Sequence, residues 1–352
     1  MSCLAKKSSR TFTLAICPSI NLMSPNRIHV MAAVIRRDGR TLIARRPETA
    51  HQGGLWEFPG GKLETGEERL EGLRRELLEE LGISVTSARP LIDIRHDYAD
   101  KSVRLDVWLV DGFEGEAHGA EGQPIRWVTT AELSEYAFPA ANKPIVTAAS
   151  LPPHYLITPD GLDSGELIAG LELAEAVGIE MVQLRQTRLG SGEYEHLAAR
   201  LVERFGDVFI WIFKGPVPPA DGAGWHLTAR QLRALYQAGW CKGERFAAGP
   251  PLLPGDEVWC GWLAASCHDE QELQMAAAIG VDFVTLSPVL PTQSHPGAPH
   301  LGWRRAAELI TLVNVPVYLL GGLTKDDLNK AQRIGAQGIA GISGLWPDTT
   351  QQ

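Results

Sequence analysis

The spacing of hydrophobic residues divides the chain into two parts. In the first part, short apolar runs alternate with polar turns, beginning with Arg27 to Ile35 and Thr41 to Arg45, which flank the turn Arg37-Asp38-Gly39-Arg40. Runs of this length and composition are typical of β-strands. Further strands are predicted at Thr86 to Arg95, Val103 to Val110 and Ile125 to Val128, followed by a short helix at Thr130 to Tyr136.

One amphipathic helix is predicted between these strands. Leucines recur at three- and four-residue spacing, which gives an apolar stripe that can pack on a sheet; they are Leu70, Leu73, Leu77 and Leu81. We expect the helix to start near Gly66, with a capping box formed by Thr65 and Glu68, and to stop at Gly82. The first part is therefore predicted to be an α+β domain with this helix packed on a mixed sheet.

The second part alternates short apolar runs with helical patterns. The eight runs are His154 to Thr158, Met181 to Arg185, Val208 to Phe213, Gly224 to Leu227, Trp262 to Ser266, Phe283 to Ser287, Val315 to Leu320 and Gly338 to Ser343. The helices between them are Glu166 to Val177, Gly192 to Phe205, Ala229 to Ala238, Asp269 to Ile279, Trp303 to Leu312 and Lys325 to Ile334. Eight such units in about 190 residues predict a small (β/α)₈ TIM barrel of the α/β class.

Length and composition are consistent with two domains. The predicted bounds are a disordered leader at 1–22, a first domain at 23–148, a linker at 149–153, the barrel at 154–346 and a tail at 347–352. A signal peptide at the start is disfavoured because Pro18 interrupts the apolar stretch, and Met23 and Met31 are alternative starts of translation.

The charge balance and the cysteines limit the classes of function. The chain has 352 residues, with 33 basic against 42 acidic residues and a net charge of −9, which disfavours direct binding to nucleic acid. No apolar run is long enough to span a membrane. The 5 cysteines show no metal-ligand spacing, so we expect free thiols in the cytoplasm.

The predicted helix also carries a dense group of carboxylates. Glu76, Glu79 and Glu80 stand at positions i, i+3 and i+4, so they share one face of the helix. Unpaired carboxylates repel one another, and a hard cation such as Mg²⁺ relieves that repulsion. The alternative is a solvent-exposed acidic helix with Glu/Arg pairs.

The spacing of these residues resembles the Nudix box of the Nudix hydrolase family. Gly61 is followed after five residues by Glu67, and after seven more by the run from Arg75 to Ile83. Three other segments resemble the MutT-type branch, the 8-oxo-dGTP diphosphatases: Gly54 to Lys62, Ala120 to Gln123 and Phe138 to Asn142. This resemblance implies a Nudix fold and metal-dependent hydrolysis of a nucleotide diphosphate linkage.

The resemblance also implies roles for individual residues. Mg²⁺ or Mn²⁺ would be held by the carbonyl of Gly60 and the carboxylates of Glu76, Glu79 and Glu80. Glu121 would add a ligand or act as base, and Arg75 would orient the carboxylates while Glu67 braces the helix.

Four residues are predicted to bind the nucleotide by the same resemblance. They are Arg46, Phe58, Lys101 and Asn142, of which Asn142 offers both an acceptor and donors to a purine edge. For three of them another interpretation stays open: Arg46 as a solvated strand end, Phe58 as a core residue and Asn142 as a turn residue before Pro144.

In the barrel, glycines follow the seventh and eighth strands, where such folds often bind phosphate. The candidate phosphate site consists of Gly321, Gly322, Ser343 and Gly344, with tight turns as the alternative. The barrel motifs resemble the thiamine-phosphate synthase and TenI family: Gln183 to Arg185, Gly224 to Leu227, Ser266 to His268, Ser287 to Thr292, Val317 to Gly322 and Gly338 to Ser343. Gln183, Arg185 and His268 are the candidate ligand residues, and a thiamine phosphate or thiazole phosphate is the implied ligand.

The barrel also departs from that family's pattern. Phe213-Lys214 stands where an Asn-Asp pair is expected, and Gln231 or a neighbour replaces a second aspartate. Two expected lysines are replaced by Thr187 and His295. Because both Mg²⁺ carboxylates are lost, we expect no synthase activity.

The sequence thus predicts a metal-dependent diphosphatase that converts 8-oxo-dGTP or a related oxidised purine nucleotide to the monophosphate and pyrophosphate. Two alternatives stay open. The Nudix domain could act on thiamine-related diphosphates, or the barrel could be a regulatory module that binds a thiamine phosphate.

Overall fold

The computed structural model of the protein describes residues 27–219, 223–242, 261–292, 297 and 299–347. Its first domain contains a mixed six-stranded sheet, and the strands are β1 (Ile28–Arg37), β2 (Arg40–Arg45), β3 (Trp56–Glu57), β4 (Ser84–Asp97), β5 (Ser102–Glu114) and β6 (Ile125–Thr129). In this sheet β3, β2, β1, β5 and β4 lie side by side, and β6 also pairs with β2. β1 and β5 are parallel, and the other pairs are antiparallel.

Helices cover both faces of this sheet because neighbouring residues of a strand point to opposite sides. On one face, Met31 and Ile35 of β1 pack with the leucines of α1 (Arg69–Leu81). On the other face, Val34 packs with Ile145 of α2 (Lys143–Ser150). The predicted α+β architecture and the leucine stripe are confirmed.

The start of α1 differs from the prediction. The helix begins at Arg69 rather than near Gly66, and Glu68 precedes it without a side-chain capping bond. The predicted capping box of Thr65 and Glu68 is therefore wrong. Instead, the carboxylate of Glu67 accepts hydrogen bonds from the backbone N–H of Glu64 and from Arg75, which fixes the turn that precedes the helix.

The second domain is a closed barrel of eight parallel strands. They are β7 (His154–Ile157), β8 (Met181–Leu184), β9 (Ile210–Phe213), β10 (Gly224–Leu227), β11 (Leu263–Cys267), β12 (Phe283–Leu286), β13 (Val317–Leu320) and β14 (Gly338–Gly341). The helices around them are α3 (Ser164–Ala176), α4 (Ser191–Phe205), α5 (Ala229–Gln237), α6 (Glu270–Ala278), α7 (Gly302–Ile310) and α8 (Leu328–Arg333). The predicted (β/α)₈ barrel is confirmed.

Alternation along the barrel strands separates two cores. Leu156, Val182 and Leu286 point outwards and pack under the helices. Tyr155 and Phe283 point inwards and fill the interior with other residues of the same parity. The barrel is thus a packed core rather than a pore, as is usual for this fold.

The two domains contact each other through β4, an edge strand of the first sheet. The side-chain amide of Asn314 donates to the carbonyl of Arg95 at 2.7 Å and accepts from its N–H at 2.9 Å, as a neighbouring strand would. Gln337 donates to the carbonyls of Ala148 and Leu151. Because Asn314 and Gln337 precede β13 and β14, the first domain lies against the amino-terminal ends of the barrel strands.

The segment predicted as a linker, residues 149–153, is packed against both domains. Residues 149 and 150 belong to α2, and Leu151 is buried. Within the described ranges, no helix is both long enough and apolar enough to cross a membrane.

Candidate active site

The guanidinium of Arg75 binds several of the carboxylates in this site. It donates two hydrogen bonds to Glu67, at 2.9 and 3.0 Å, and one to the carbonyl of Lys62. It also contacts Glu76 at 2.9 Å and Glu79 at 3.3 Å. These contacts join Arg75 to the turn before α1 through Glu67 and Lys62, and to the helix itself through Glu76 and Glu79.

Glu80 lies deeper and belongs to a different set of contacts. Its carboxylate accepts a hydrogen bond from the backbone N–H of Gly60 at 2.7 Å. Burial raises the pKa of Glu80 to about 7, and the charges of Glu57 and Glu121 act in the same direction, while the bonds from Gly60 and Gln123 oppose them. Glu80 is therefore a carboxyl group whose charge is poorly compensated.

The loop that carries Glu121 is tied to the end of α1. The N–H of Ala120 and the amide of Gln123 both donate to the carbonyl of Glu80, at 3.0 and 2.9 Å. Glu121 itself is exposed. These bonds bring Glu121 and Glu80 together although they are far apart in the sequence.

The two glycines before α1 are required by close contacts. Gly60 has φ 145°, and a Cβ there would overlap the carbonyl of Met31. A Cβ on Gly61 would overlap the carboxylate of Glu76. The backbone therefore approaches both the sheet and the glutamate helix more closely than a larger residue would permit.

The donor set of this site suits a hard divalent cation. In the described part of the chain, no three acidic, histidine or cysteine side chains converge closely enough to hold an ion as they stand. The three glutamates instead have two different partners in the protein. Glu76 and Glu79 contact the guanidinium of Arg75, and Glu80 accepts a hydrogen bond from the backbone N–H of Gly60. Their oxygens are nevertheless the type of ligand that Mg²⁺ prefers, and the raised pKa of Glu80 indicates uncompensated negative charge.

Glu57 is a further residue of this site, and no sequence pattern described above indicated it. It forms an ion pair with Arg46 across the β2–β3 hairpin, and Arg46 also donates to the carbonyl of His51 at 2.9 Å. Burial raises the pKa of Glu57, while Arg46 lowers it. The sequence did contain one indication of such a role, because Glu57 is an acidic residue directly before Phe58 in an otherwise apolar segment.

The predicted base-binding residues lie beside this hairpin. Phe58 is only 3% exposed and stacks on the partly exposed Phe138, with ring centroids 5.4 Å apart. Asn142 is 9% exposed and forms no side-chain hydrogen bond with any described residue. The structure therefore shows Phe58 as part of the core, and it shows Asn142 with a free amide close to the domain surface.

Lys101 lies in the turn between β4 and β5. Tyr98 and Asp100 of this turn contact His51, with ring centroids 5.0 Å apart for Tyr98 and an ion-pair distance of 3.5 Å for Asp100. The turn is thus on the same side of the domain as Arg46, which bonds to His51.

The residues predicted to bind a ligand in the barrel do not all lie together. Gly344 packs against the carbonyl of Leu323, which brings the loop of Gly321 and Gly322 next to that of Ser343. Gln183 is buried in the interior. The His268 side chain, in contrast, is 49% exposed, and its Nδ1 contacts Glu272 at 2.8 Å. His295 lies outside the described residues.

Comparisons with known proteins agree with this architecture. Residues 30–148 match the NUDIX domain family, and residues 259–345 match the thiamine monophosphate synthase family. CTP pyrophosphohydrolase of Escherichia coli is 38% identical over 121 residues, which are 34% of this chain and 90% of the relative. The 8-oxo-dGTP diphosphatase of the same organism is 36% identical over 121 residues, which are 34% of this chain and 94% of the relative.

For the barrel, a putative thiamine-phosphate synthase of Geobacter sulfurreducens is 32% identical over 201 residues, which are 55% of this chain and 86% of the relative. The first domain makes the chain a member of the Nudix hydrolase family, whose enzymes generally need a divalent metal ion. The second domain belongs to the thiamine monophosphate synthase family.

Proposed function

We propose that the chain hydrolyses a nucleoside triphosphate to the monophosphate and pyrophosphate, and that oxidised purine nucleotides such as 8-oxo-dGTP are its preferred substrates. The observation that carries the proposal is the free side-chain amide of Asn142, a residue that is 9% exposed, directly precedes α2 and follows Phe138 of the Phe58–Phe138 stack by four positions. Such a reaction would remove damaged nucleotides before they enter DNA.

In this proposal, Mg²⁺ or Mn²⁺ is held by Glu76, Glu79, Glu80, Glu121 and the carbonyl of Gly60. When bound, the metal neutralises charge on the diphosphate oxygens. Arg75 keeps the carboxylates of Glu76 and Glu79 in place until then.

The residues outside the glutamate helix bind the substrate. Arg46, oriented by Glu57, and Lys101 supply positive charge for the phosphates. Asn142 reads the base, because 8-oxoguanine presents an N–H donor at N7 where guanine presents an acceptor. In this role the Asn142 oxygen faces N7, where it accepts from the N–H of 8-oxoguanine but meets an acceptor in guanine, so the normal base is disfavoured.

Steady-state kinetics with 8-oxo-dGTP, dGTP, CTP and thiamine diphosphate test this assignment. We expect the highest kcat/KM for 8-oxo-dGTP, and we expect Asn142→Ala to lower it by a factor of about 5 to 150, as for the loss of one or two buried hydrogen bonds. Asn329→Ala, on the exposed face of α8, is the matched control. Equal turnover of 8-oxo-dGTP and dGTP would contradict the proposal.

A second candidate substrate is CTP or another pyrimidine triphosphate. It is favoured by the 38% identity with CTP pyrophosphohydrolase, which is similar to the identity with the 8-oxo-dGTP diphosphatase. The same measurements separate the two, because a cytosine ring lacks the N7–H group on which the proposed role of Asn142 depends. Preferred turnover of thiamine diphosphate would instead connect the Nudix reaction to the barrel.

A further inference from the structure

The interior of the barrel has a polar layer above its aromatic one. Gln183, His226, Ser266 and Thr285 lie on four different strands at positions whose side chains share the inward parity of Tyr155. Gln183, His226 and Thr285 are each 1% exposed. Burying so many polar groups is unfavourable unless each finds a partner.

Gln183, His226 and Ser266 form one directed chain of hydrogen bonds together with Tyr155 of the aromatic layer. The hydroxyl of Tyr155 donates to Oε1 of Gln183 at 3.0 Å. Since that proton is used, Nδ1 of His226 must donate to the Tyr155 oxygen, 2.9 Å away. Nε2 of His226 then accepts from the hydroxyl of Ser266 at 2.9 Å. This pattern assigns a neutral imidazole, consistent with the pKa of His226, which burial and the charge of Lys214 lower.

The chain leaves two buried polar atoms without partners. Neither Nε2 of Gln183 nor Oγ1 of Thr285 has a hydrogen-bond partner within the part of the protein that the structure describes. A buried polar atom that has lost its water without gaining another partner is unfavourable. Ligand groups that accept from Gln183 and bond to Thr285 would remove this cost.

Two cations stand at the carboxyl-terminal edge of the same strands. Leu184 of β8 pairs with Phe213 of β9, so the residues that follow them, Arg185 and Lys214, lie side by side. Arg185 stands two positions after the inward-pointing Gln183, and Lys214 stands at the same level of the next strand, so both share the inward parity. Arg185 is 3.8 Å from a carboxylate oxygen of Asp160.

Lys214 has no such partner. Among the described residues, no carboxylate forms an ion pair with it, and burial and the charge of Arg185 lower its pKa. Lys214 is half-buried, and an ammonium in that position without a counter-ion is unfavourable, so a bound anion would supply one.

The divalent metal implied by the synthase resemblance does not fit here. Lys214 occupies a position where a carboxylate is expected, and it would repel a second cation. Gln231, which stands near the other expected carboxylate, is used in the fold, because its amide donates to the carbonyl of Gly215 at 2.6 Å.

We propose that the barrel binds a small phosphate-bearing molecule without a divalent metal, with Lys214 and Arg185 holding the anion and Gln183 and Thr285 binding the polar part of the ligand. Lys214 thus takes the electrostatic role that a metal ion would have. This inference is independent of the diphosphatase reaction, because none of these residues belongs to the Nudix site.

Isothermal titration of the full chain with inorganic pyrophosphate tests the proposal. Glu80→Gln is introduced to weaken the Nudix metal site, and EDTA removes divalent ions. We expect binding to persist in EDTA and Lys214→Ala to weaken it by about tenfold or more, as for the loss of a charge-assisted contact. Lys330→Ala, on the outer surface of α8, is the matched control and should leave the affinity unchanged.

A second variant separates binding from folding. Lys214→Gln keeps most of the side-chain stem and removes only the charge, so it should also weaken binding, and its thermal unfolding midpoint without ligand should equal or exceed that of the parent. Binding that needs Mg²⁺, no binding by the parent, or an unchanged affinity in both Lys214 variants would overturn the proposal. A lower midpoint for Lys214→Gln would overturn the assignment of Lys214 as an unpaired, half-buried charge.

Discussion

Replacing Glu80 by glutamine should make the metal-free protein more stable while it abolishes most of the activity. The Glu80 carboxylate is largely buried, and the charges of Glu57 and Glu121 disfavour its ionised form. A glutamine side chain at this position would carry no charge, yet its oxygen could still accept the hydrogen bond from Gly60. The substitution therefore removes an electrostatic cost and no core packing.

The magnitude follows from the shifted pKa. Folding raises the pKa of Glu80 from 4.5 to about 7, and this difference corresponds to about 3 kcal/mol at most. Below pH 4.5 the carboxyl group is protonated in the folded and the unfolded state, so the cost is absent. As the pH rises to 7 the unfolded state loses its proton first, and the wild-type protein loses stability relative to Glu80→Gln. Above pH 7 the whole difference is present.

Urea denaturation in EDTA, followed by circular dichroism at pH 4.5, 6 and 8, measures this difference. Glu79→Gln is the control, because the Glu79 side chain is 59% exposed and its substitution should change the free energy of unfolding by less than about 1 kcal/mol. With Mg²⁺ present, Glu80→Gln should lower turnover by about two orders of magnitude or more. A variant that is less stable at pH 8, or a gain that is the same at every pH, would refute the reasoning.

Three further predictions test the fold around the site. Leu77→Ala should lower the free energy of unfolding by about 2–5 kcal/mol in urea denaturation, because Leu77 is fully buried between α1 and the sheet. Gly61→Ala should lower turnover with little loss of stability, since the added methyl group displaces only the flexible Glu76 carboxylate, whereas Gly60→Ala should also destabilise the fold by overlapping backbone; thermal melts and kinetics together separate these outcomes. Burial alone would raise the pKa of Asp106, but bonds from His29, Arg69 and Trp108 hold it at about 2. Asp106→Asn should therefore cost about 2 kcal/mol at neutral pH, and the difference from wild type should vanish as the pH falls from 4 to 2; a constant difference would contradict this.

Local patterns were sufficient wherever a property depends on nearby residues. The leucine spacing predicted which face of α1 is buried, because a helix turns by a constant angle per residue. The eight apolar runs predicted the barrel strands for a similar reason, since each run is one buried strand. The start of α1 was predicted less well. Thr65 does not cap the helix, and Glu67 bonds instead to Arg75, eight residues further along the chain.

By itself, the sequence determined the two domains, the glutamate helix and the spacing of its carboxylates. Only the tertiary structure decided that Glu57 holds Arg46, that the Glu121 loop is tied to Glu80, and that Tyr155 links His226 to Gln183. These contacts join residues that are distant in the chain or that lie on separate strands, so no local periodicity contains them. They depend on which strands pair and in what register, and that is settled when the whole core packs.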